Sequence, residues 1–290
     1  MWLDRDATRS VRTEWWQSES PTFANRGASY VLFATARAPI AAHVWLVTEL
    51  PYAHANLVTT SYSDNPLYLH DATVGNVYLG AELAHHPTGV RYEAGVRLPI
   101  ARSDAPGARY EGQATSVERQ QAFLERSLAF RVGADLHRAA TAGLRIGYDL
   151  GLAATWQIPQ ETSPFEELHG SDSEPFDFFG SPRSLGTWDA LFLDGVANLR
   201  LEGPHVRFGA GLAVRWLASN SQGNVGSNSV SDVSFALDLL RGPIHPGVVV
   251  TLPLDEDQKS FTSSSVALTL STGRTGWVQS PSMEQRESSP

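Results

Sequence analysis

The sequence contains no cysteine, and lysine occurs once, at Lys259. Without cysteine the chain cannot form disulfides, thiolate metal sites or a cysteine nucleophile. It also lacks any run of about 18 apolar residues, the length that a membrane-spanning helix requires. The net charge is −9, so nucleic acid, which needs a basic binding surface, is not an expected partner.

Motifs of the common enzyme classes are missing as well. The chain has no Gly-x-Ser-x-Gly elbow, no His-Glu-x-x-His helix and no phosphate-binding loop. His85 and His86 are adjacent, and adjacent strand residues point to opposite faces, so they cannot chelate one ion together. We therefore predict no catalytic residue, no metal and no cofactor.

Apolar and polar residues alternate in many segments. In residues 88–101, Val90, Tyr92 and Val96 alternate with Arg91 and Glu93, and this period of two is typical of a β-strand with two different faces. The same pattern predicts twelve strands, at residues 12–17, 28–38, 41–52, 73–86, 88–101, 125–138, 141–156, 187–201, 203–217, 229–241, 247–254 and 260–271.

The gaps between these strands are alternately short and long. Short connections such as Ala38-Pro39 are followed by long polar segments, at 53–72, 102–124, 157–186 and 218–229. Membrane barrels have short periplasmic turns and long outer loops, and their strands are longer than those of soluble sheets. We predict an all-β fold, a closed antiparallel up-and-down transmembrane β-barrel of about twelve strands, in the bacterial outer membrane.

Three regions are expected along the chain. Residues 1–11 are predicted to be a flexible N-terminal segment, 12–272 a single barrel domain, and 273–290, rich in Ser, Gln, Glu and Pro, a disordered tail. Residues 1–6 contain no apolar signal-peptide core, although export requires one. We expect a processed form or a gene model with a late start rather than a cytosolic protein.

In such a barrel the apolar face of each strand contacts lipid and the charged face lines a narrow lumen. The residues predicted to line the lumen are Glu82, Arg91, Glu93, Arg97, Arg131, Asp135, Arg145, Asp149, Asp194, Arg207 and Arg215. A turn at 139–140 predicts that Asp135 faces Arg145 and that Arg131 faces Asp149; Glu82 is likewise set against Arg91, and Asp194 against Arg215. These charges either select solutes or form a structural ladder that fills the interior.

Four aliphatic-proline pairs suggest one rim of the barrel. Leu50-Pro51, Leu98-Pro99, Ile158-Pro159 and Leu252-Pro253 are predicted to end outward-running strands, because proline cannot donate to a strand ladder. Near this rim, four residues are predicted to form an aromatic girdle at the membrane interface: Tyr52, Trp156, Trp188 and Trp216.

Two of the long loops have distinctive compositions. Residues 161–177 are acidic and aromatic, which is compatible with a divalent bridge to lipopolysaccharide, a fold over the pore or a solvated loop. Residues 116–126 have a helix-forming composition and are predicted to form a short helix in an outer loop, either covering the pore mouth or decorating the surface.

Three short motifs carry a resemblance to a known family. They are Glu49-Leu-Pro-Tyr52, Asn76-Val-Tyr-Leu-Gly-Ala-Glu82 and Gly95-Val-Arg-Leu-Pro99. Residues 28–155 resemble proteins similar to the meta-pathway phenol-degradation outer-membrane family. The resemblance implies an outer-membrane barrel that is a passive route for small aromatic or other hydrophobic compounds, and it brings no catalytic residues.

The function favoured by these observations is passive passage or binding of small molecules through the lumen, with membrane lipid and lipopolysaccharide as the other expected partners. Two alternatives stay open. One is a closed structural or surface-interaction barrel that acts through its outer loops. The other is a soluble β-barrel that carries a ligand, for which an apolar outer band would be unfavourable.

Overall fold

The structure is a computed structural model that describes residues 9–21, 23–25, 27–59, 68–85, 90–102, 104–124, 126–141, 143–157, 190–220 and 229–272. The strands in these ranges are β1 (Ser10–Glu19), β2 (Phe23–Asn25), β3 (Tyr30–Ala41), β4 (Val44–Thr59), β5 (Tyr68–Val74), β6 (Tyr78–His85), β7 (Val90–Arg97), β8 (Ser127–Thr141), β9 (Leu144–Gln157), β10 (Ala190–Glu202), β11 (Val206–Asn220), β12 (Ser229–Leu239), β13 (Ile244–Pro253) and β14 (Ser264–Thr272). The helices are α1 (Pro106–Gln113), a 3₁₀ helix (Val117–Ala122) and α2 (Glu256–Phe261). No helix in the described ranges is long and apolar enough to cross a membrane.

These strands form a closed antiparallel barrel with twelve positions, which confirms the predicted fold class. From β6 to β14 each strand pairs with the next one along the chain, and β14 pairs with β1. The circle continues through β3 to β4, and it closes where β4 pairs with β6. The strands β5 and β6 share one position, because both pair with β4 at successive parts of its length.

The two faces of the wall differ in chemistry. Large apolar side chains such as Leu150, Leu152 and Leu268 are 61%, 66% and 68% exposed on the outside. Charged side chains are buried inside. Even β1, whose pattern is weak in the sequence, follows this rule, since Arg12 and Glu14 are buried whereas Val11 and Trp15 are exposed. The inversion relative to a soluble protein is what a wall between lipid and a polar lumen requires.

Two predicted turns are wrong in position. The strands β3 and β8 run to Ala41 and Thr141, so the turns do not fall at Ala38-Pro39 and at 139–140. Each hairpin contains a register shift before its turn, and positive φ angles follow, 65° at His43 and 97° at Gly143. The alternating pattern continues through the turn residues and therefore does not reveal which of them adopts the left-handed conformation.

The proline pairs do not all end strands as predicted. Pro99 follows β7 and Pro253 ends β13, but Pro51 lies inside β4, and Ile158-Pro159 is outside the described residues. At Pro51 the partner of β4 changes from β6, which pairs through Glu49, to β5, which begins pairing at Tyr52. A residue without an N–H group is tolerated there because the ladder is interrupted at that point.

A substitution on the outer face tests whether it contacts lipid. We expect Leu152→Arg to lower the free energy of unfolding in lipid vesicles by about 2–4 kcal/mol, since this position lies near the middle of the membrane band. The control is Gln17→Arg, on the outward face near the end of β1, for which about 0–1 kcal/mol is expected. Urea unfolding followed by tryptophan fluorescence gives both values. If both substitutions lower the free energy of unfolding by the same small amount, the outer face does not contact lipid, and the soluble-carrier alternative is favoured.

Candidate functional site

The predicted lumen residues lie on the strand faces opposite the exposed apolar side chains. Eight have buried side chains: Glu82, Glu93, Arg97, Asp135, Asp149, Asp194, Arg207 and Arg215. Three are partly exposed: Arg91, Arg131 and Arg145. Within the described residues, these side chains and several that the sequence did not single out form two groups, one at each half of the barrel.

The pairing predicted between individual charges is correct in one case and wrong in the others. Asp194 faces Arg215, and their side chains are 2.6 Å apart. By contrast, Asp135 faces Asp149, not Arg145, because the β8–β9 turn lies further along the chain than predicted.

The other two predicted partners, one in the β8–β9 hairpin and one in the β6–β7 hairpin, are also wrong. Arg131 faces Ala153 instead of Asp149, and Glu82 faces Glu93 instead of Arg91. The carboxylate of Glu82 is 2.6 Å from Arg37 on β3. In a narrow lumen a long arginine side chain reaches past the adjacent strand, so opposite charges meet across strands instead of along one hairpin.

The loop between β7 and β8 enters the lumen. Its residues 101–124, here called the plug, contain α1 and the 3₁₀ helix, and most of the described side chains are buried. The predicted short helix at 116–126 therefore exists as a 3₁₀ helix, but it lies inside the barrel and neither covers the mouth nor decorates the surface. The helix α1 has no counterpart in the sequence-based prediction.

An apolar contact fixes α1 against the inner wall. Ala108 and Phe123 of the plug pack in one buried cluster with Phe33, Ala55 and Leu69 of the neighbouring strands. Glycine permits this approach, because a Cβ atom at Gly107 would lie 2.8 Å from the Leu69 Cβ atom. The carboxylate of Asp71 accepts hydrogen bonds from the backbone N–H groups of Gly107 and Ala108, so a wall residue caps the first turn of α1.

A charged contact fixes the other part of the plug. The guanidinium of Arg119 donates to Glu14 on β1 at 2.8 Å and to Glu49 on β4, and it lies 4.5 Å from the Phe33 ring. Arg12 also contacts Glu14, at 3.0 Å, and Arg97 contacts Glu49, at 2.7 Å. These five charged residues, here called the Arg119 latch, form one continuous buried chain from wall to plug and back to the wall.

Further polar side chains hold the 3₁₀ helix. Gln121 donates to Asp194, and Gln120 accepts from Arg215 at 3.1 Å. The backbone N–H of Val117 donates to Asp232 at 2.6 Å. Three of the predicted lumen residues thus bind the plug directly: Asp194, Arg215 and Arg131, whose guanidinium donates to Glu118 at 3.0 Å.

Asn76 connects both ends of the plug to the wall. Its amide nitrogen donates to the Leu124 carbonyl at 2.6 Å, the Gln121 carbonyl at 3.1 Å and the Ser127 hydroxyl at 3.1 Å. Its amide oxygen accepts from the Ala101 N–H at 2.8 Å. Asn76 is fully buried, and both polar atoms of its side-chain amide are satisfied by plug residues and by Ser127 at the start of β8.

A second group of charges lies near the short-turn end. Arg12 is 3.3 Å from Asp238, Arg37 is 2.6 Å from Glu82, and Arg200 is 2.7 Å from Asp135. Sequence reasoning missed Arg12, Arg37 and Arg200 as lumen residues. The alternation of polar and apolar residues could have identified these three arginines, because each of them lies an even number of residues from another inward polar side chain.

One cavity beside the plug is small. A cavity of about 20 Å³ lies between the plug and strands β10 to β13, lined among others by Glu118, Asn198, Asp232 and Thr251. That volume admits about one water molecule. A solute larger than water cannot occupy this position unless the plug moves.

Glu111 on α1 has an unusual environment. It is buried, and no hydrogen bond or ion pair to its carboxylate occurs within the described part of the chain. Burial raises the pKa of Glu111 from 4.5 to about 8. The docked plug therefore favours the neutral acid at this position.

Other sequence-based predictions fall partly or wholly outside the described residues. Trp156 and Trp216 are about half exposed, and Tyr52, partly exposed, lies 6.2 Å from Tyr30, whereas Trp188 is outside the described residues. The acidic loop 161–177, His86 and the segments 1–8 and 273–290 also lie outside them. No group of three or more potential metal-ligating side chains occurs in the ranges given above. The girdle, the domain limits and the lipopolysaccharide contact stay predictions.

Removing the Asn76 side chain should loosen the plug. We expect Asn76→Ala to leave buried carbonyl and N–H groups unsatisfied at a cost of about 1–3 kcal/mol per group. The plug should then become accessible to trypsin, which cleaves after arginine, in detergent-solubilised protein. Asn56→Ala, on the outward face of β4, is the control and should leave the plug resistant. Equal cleavage of both variants would contradict this role of Asn76.

No family model matches the sequence, and no curated protein matches it. Solved structures do match over nearly the whole chain. An outer-membrane channel from Pseudomonas putida F1 is 9% identical, with a TM-score of 0.55 over 92% of this chain and 95% of that one. The LpxR protein from Salmonella typhimurium is 9% identical (TM-score 0.49, 91% and 99% covered), and the NanC porin is 10% identical (TM-score 0.48, 91% and 98% covered). The likeness to the Pseudomonas putida channel and the closed ring of twelve strand positions show that the chain has the fold of bacterial outer-membrane β-barrels.

Proposed function

We propose that the protein is an outer-membrane channel for small, partly apolar molecules and that the plug is its gate. The observation that supports this proposal is the plug itself, which is a separate segment held in the lumen by side-chain contacts. A barrel that only needs to be closed can fill its interior with side chains from its own strands, as the smallest barrels do. A segment inserted from a loop can leave again without breaking the wall.

The surfaces that the plug covers support this class of solute. Displacement of the plug uncovers the apolar side chains of Phe33, Ala53, Ala55 and Leu69. It also uncovers carboxylates and arginines, among them Glu14, which is paired with Phe33 across β1 and β3, and Asp194 and Arg215. A lumen that offers apolar and charged groups close together suits small amphipathic molecules, and the motif resemblance independently implies aromatic or hydrophobic compounds.

The filled lumen also favours a second candidate function. The buried ion pairs near the short-turn end reinforce the interior there, as expected for a closed structural barrel that acts through its outer loops. Conductance measurements distinguish the two functions, because only a channel gated by the plug opens more often when the contacts of the Arg119 latch are weakened.

Neutralising the latch should open the channel. In Arg119→Gln, Glu14 and Glu49 lose their shared partner, and breaking a buried ion pair costs about 3–5 kcal/mol. We expect the open probability in a planar lipid bilayer to rise at least about tenfold, since every 1.4 kcal/mol is a factor of ten in a two-state equilibrium.

Arg102→Gln is the matched control, because Arg102 is exposed and pairs with Asp104. It should conduct like the wild type. If the folded, inserted Arg119→Gln protein is as silent as the wild type, the channel proposal fails and the closed structural barrel replaces it.

The gate should also respond to pH through Glu111. The pKa of Glu111 is about 8 in the docked plug and returns toward 4.5 when the plug is released into water. Between these pH values the docked state therefore binds more protons than the released state. The stability of the docked state relative to the released state decreases as the pH rises through this range. We expect more frequent openings at about pH 8.5 than at about pH 5.5, and we expect Glu111→Gln to reduce this difference. If the Glu111→Gln variant keeps the pH dependence of the wild type, a different titratable group causes that dependence.

A further inference from the structure

One buried carboxylate in the lumen has no cationic partner in the described part of the chain. Asp232 on β12 is 3% exposed, and its hydrogen-bond partner is the backbone N–H of Val117, at 2.6 Å. No arginine or lysine among the described residues forms an ion pair with it. The charged groups that act on it, Glu118 and Asp255, are also carboxylates. Because an unpaired buried charge is costly, this position requires a cation or a proton.

The other carboxylates beside the same cavity have arginine partners. The cavity of about 20 Å³ beside the plug is lined by Glu14 and Glu118 as well as by Asp232. Glu14 contacts Arg119 at 2.8 Å, and that guanidinium is shared with a second carboxylate of the Arg119 latch. Glu118 contacts Arg131 at 3.0 Å. Within the described ranges, Asp232 is thus the one carboxylate of this cavity that lacks an arginine.

Neutral polar side chains surround the same space at one level of the wall. Asn198 on β10 pairs with Gly211, Gly211 pairs with Ser234 on β12, and Ser234 pairs with Thr251 on β13. These residues therefore form one row across four strands, in which Gly211 contributes no side chain. The three side chains of the row line the cavity, and Asp232 lies two residues from Ser234 on the same inward face. Oxygen-bearing groups from three strands thus face one small space.

Two side chains of this row have a polar atom without a partner. Asn198 is 6% and Thr251 is 3% exposed, and the Asn198 amide nitrogen and the Thr251 hydroxyl make no hydrogen bond within the described residues. Since no such bond fixes the Asn198 amide, its oxygen can turn toward the cavity. Buried polar groups nearly always have a partner, so these two atoms indicate a ligand or a water molecule in the space between them.

The charge and size of the cavity favour a small cation. Asp232 supplies a negative charge, Asn198, Ser234 and Thr251 supply neutral oxygens, and hard cations bind oxygen ligands. The volume admits one particle of about the size of a water molecule, and a dehydrated sodium or potassium ion is of this size. A calcium site generally uses several free carboxylates, whereas here one carboxylate is free of arginine, which favours a single positive charge.

We propose that this cavity binds one dehydrated alkali cation, sodium or potassium, between the plug and the wall. Asp232 neutralises its charge, and the Thr251 hydroxyl and the Asn198 amide oxygen are neutral ligands. The plug closes the site, because the Val117 N–H holds Asp232 and Glu118 lines the cavity from the plug side. The cation therefore binds the docked plug better than the released plug, and by linkage it favours the docked state. The site requires only a docked plug, so it does not depend on the proposed channel function.

Protection of the plug from trypsin measures this cation. Cleavage after Arg119, which is buried, requires release of the plug, and mass spectrometry of the fragments gives its rate in detergent-solubilised protein. The rate is compared in sodium chloride, potassium chloride and N-methyl-D-glucamine chloride, whose cation is too large for the cavity. Equal concentrations of about 200 mM keep the screening of the ion pairs constant. We expect cleavage to be at least about fivefold slower with an alkali cation, because a ligand that binds only the docked state lowers the released fraction.

Removing the charge of Asp232 should abolish this difference. Asp232→Asn keeps an oxygen for the Val117 N–H, and we expect its cleavage rates in the three salts to agree within about twofold. Glu202→Gln is the matched control, because it also removes a lumen carboxylate, one that pairs with Arg207 at 2.9 Å near the short-turn end. This control should keep the effect of about fivefold.

Thr251→Val is a second test that remains usable if Asp232→Asn does not fold. Valine has nearly the shape of threonine and removes only the hydroxyl. If that hydroxyl is a cation ligand, the salt effect should fall below about twofold. If it is only an unsatisfied buried group, the variant should keep the full salt effect, which would contradict its role as a ligand.

The results in the three salts decide the proposal. Equal cleavage of the wild type in all of them would overturn the cation site, and the cavity would hold water alone. A salt effect that persists in Asp232→Asn would locate the cation elsewhere and overturn this assignment. Protection by one of the two alkali cations would support the site and identify the ion that it prefers.

Discussion

The buried guanidinium of Arg119 is the interaction on which the state of the lumen depends. It lies between Glu14 and Glu49, two carboxylates that face the same interior from different strands. Arg12 and Arg97 balance part of that negative charge, but neither of them belongs to the plug. With the plug present, charges from four separate parts of the chain satisfy one another. Without it, Glu14 keeps Arg12 and Glu49 keeps Arg97, but the carboxylate oxygens that Arg119 leaves depend on water or on a solute.

This dependence explains why the plug combines two kinds of contact. The apolar packing of Ala108 and Phe123 against Phe33 and Leu69 is non-directional and removes apolar surface from water. The hydrogen bonds of Arg119 and Gln121 add little net stability, but they specify one position, because a buried charge that misses its partner is costly. Apolar contacts thus retain the segment in the lumen, and polar contacts determine where it stops.

The sequence predicts the barrel well because strand faces are a local property. From Leu144 to Leu152 the alternation alone separates the lipid-facing side chains from those in the lumen, and the structure has the same alternation. Register and plug position are not local. Asp135 is neutralised by Arg200 from two strands away, and Arg119 is separated from Glu49 and Glu14 by 70 and 105 residues. Nothing in the composition of residues 101–124 distinguishes a segment inside the barrel from a loop outside it.

The pairing of β1 with β14 has a consequence for assembly. The ring closes only when the first and last strands meet, whereas the plug lies between β7 and β8, in the middle of the chain. Its partners come from both ends, for Glu14 lies on β1 and Ser265, which donates to the Thr115 carbonyl, lies on β14. Ring closure joins Val11 to Thr272, 261 residues apart, whereas Arg119 is 105 residues from Glu14 and 70 from Glu49. Contacts between more distant residues form more slowly. We therefore expect the plug to dock on β1 and β4 while the seam between β1 and β14 is still open.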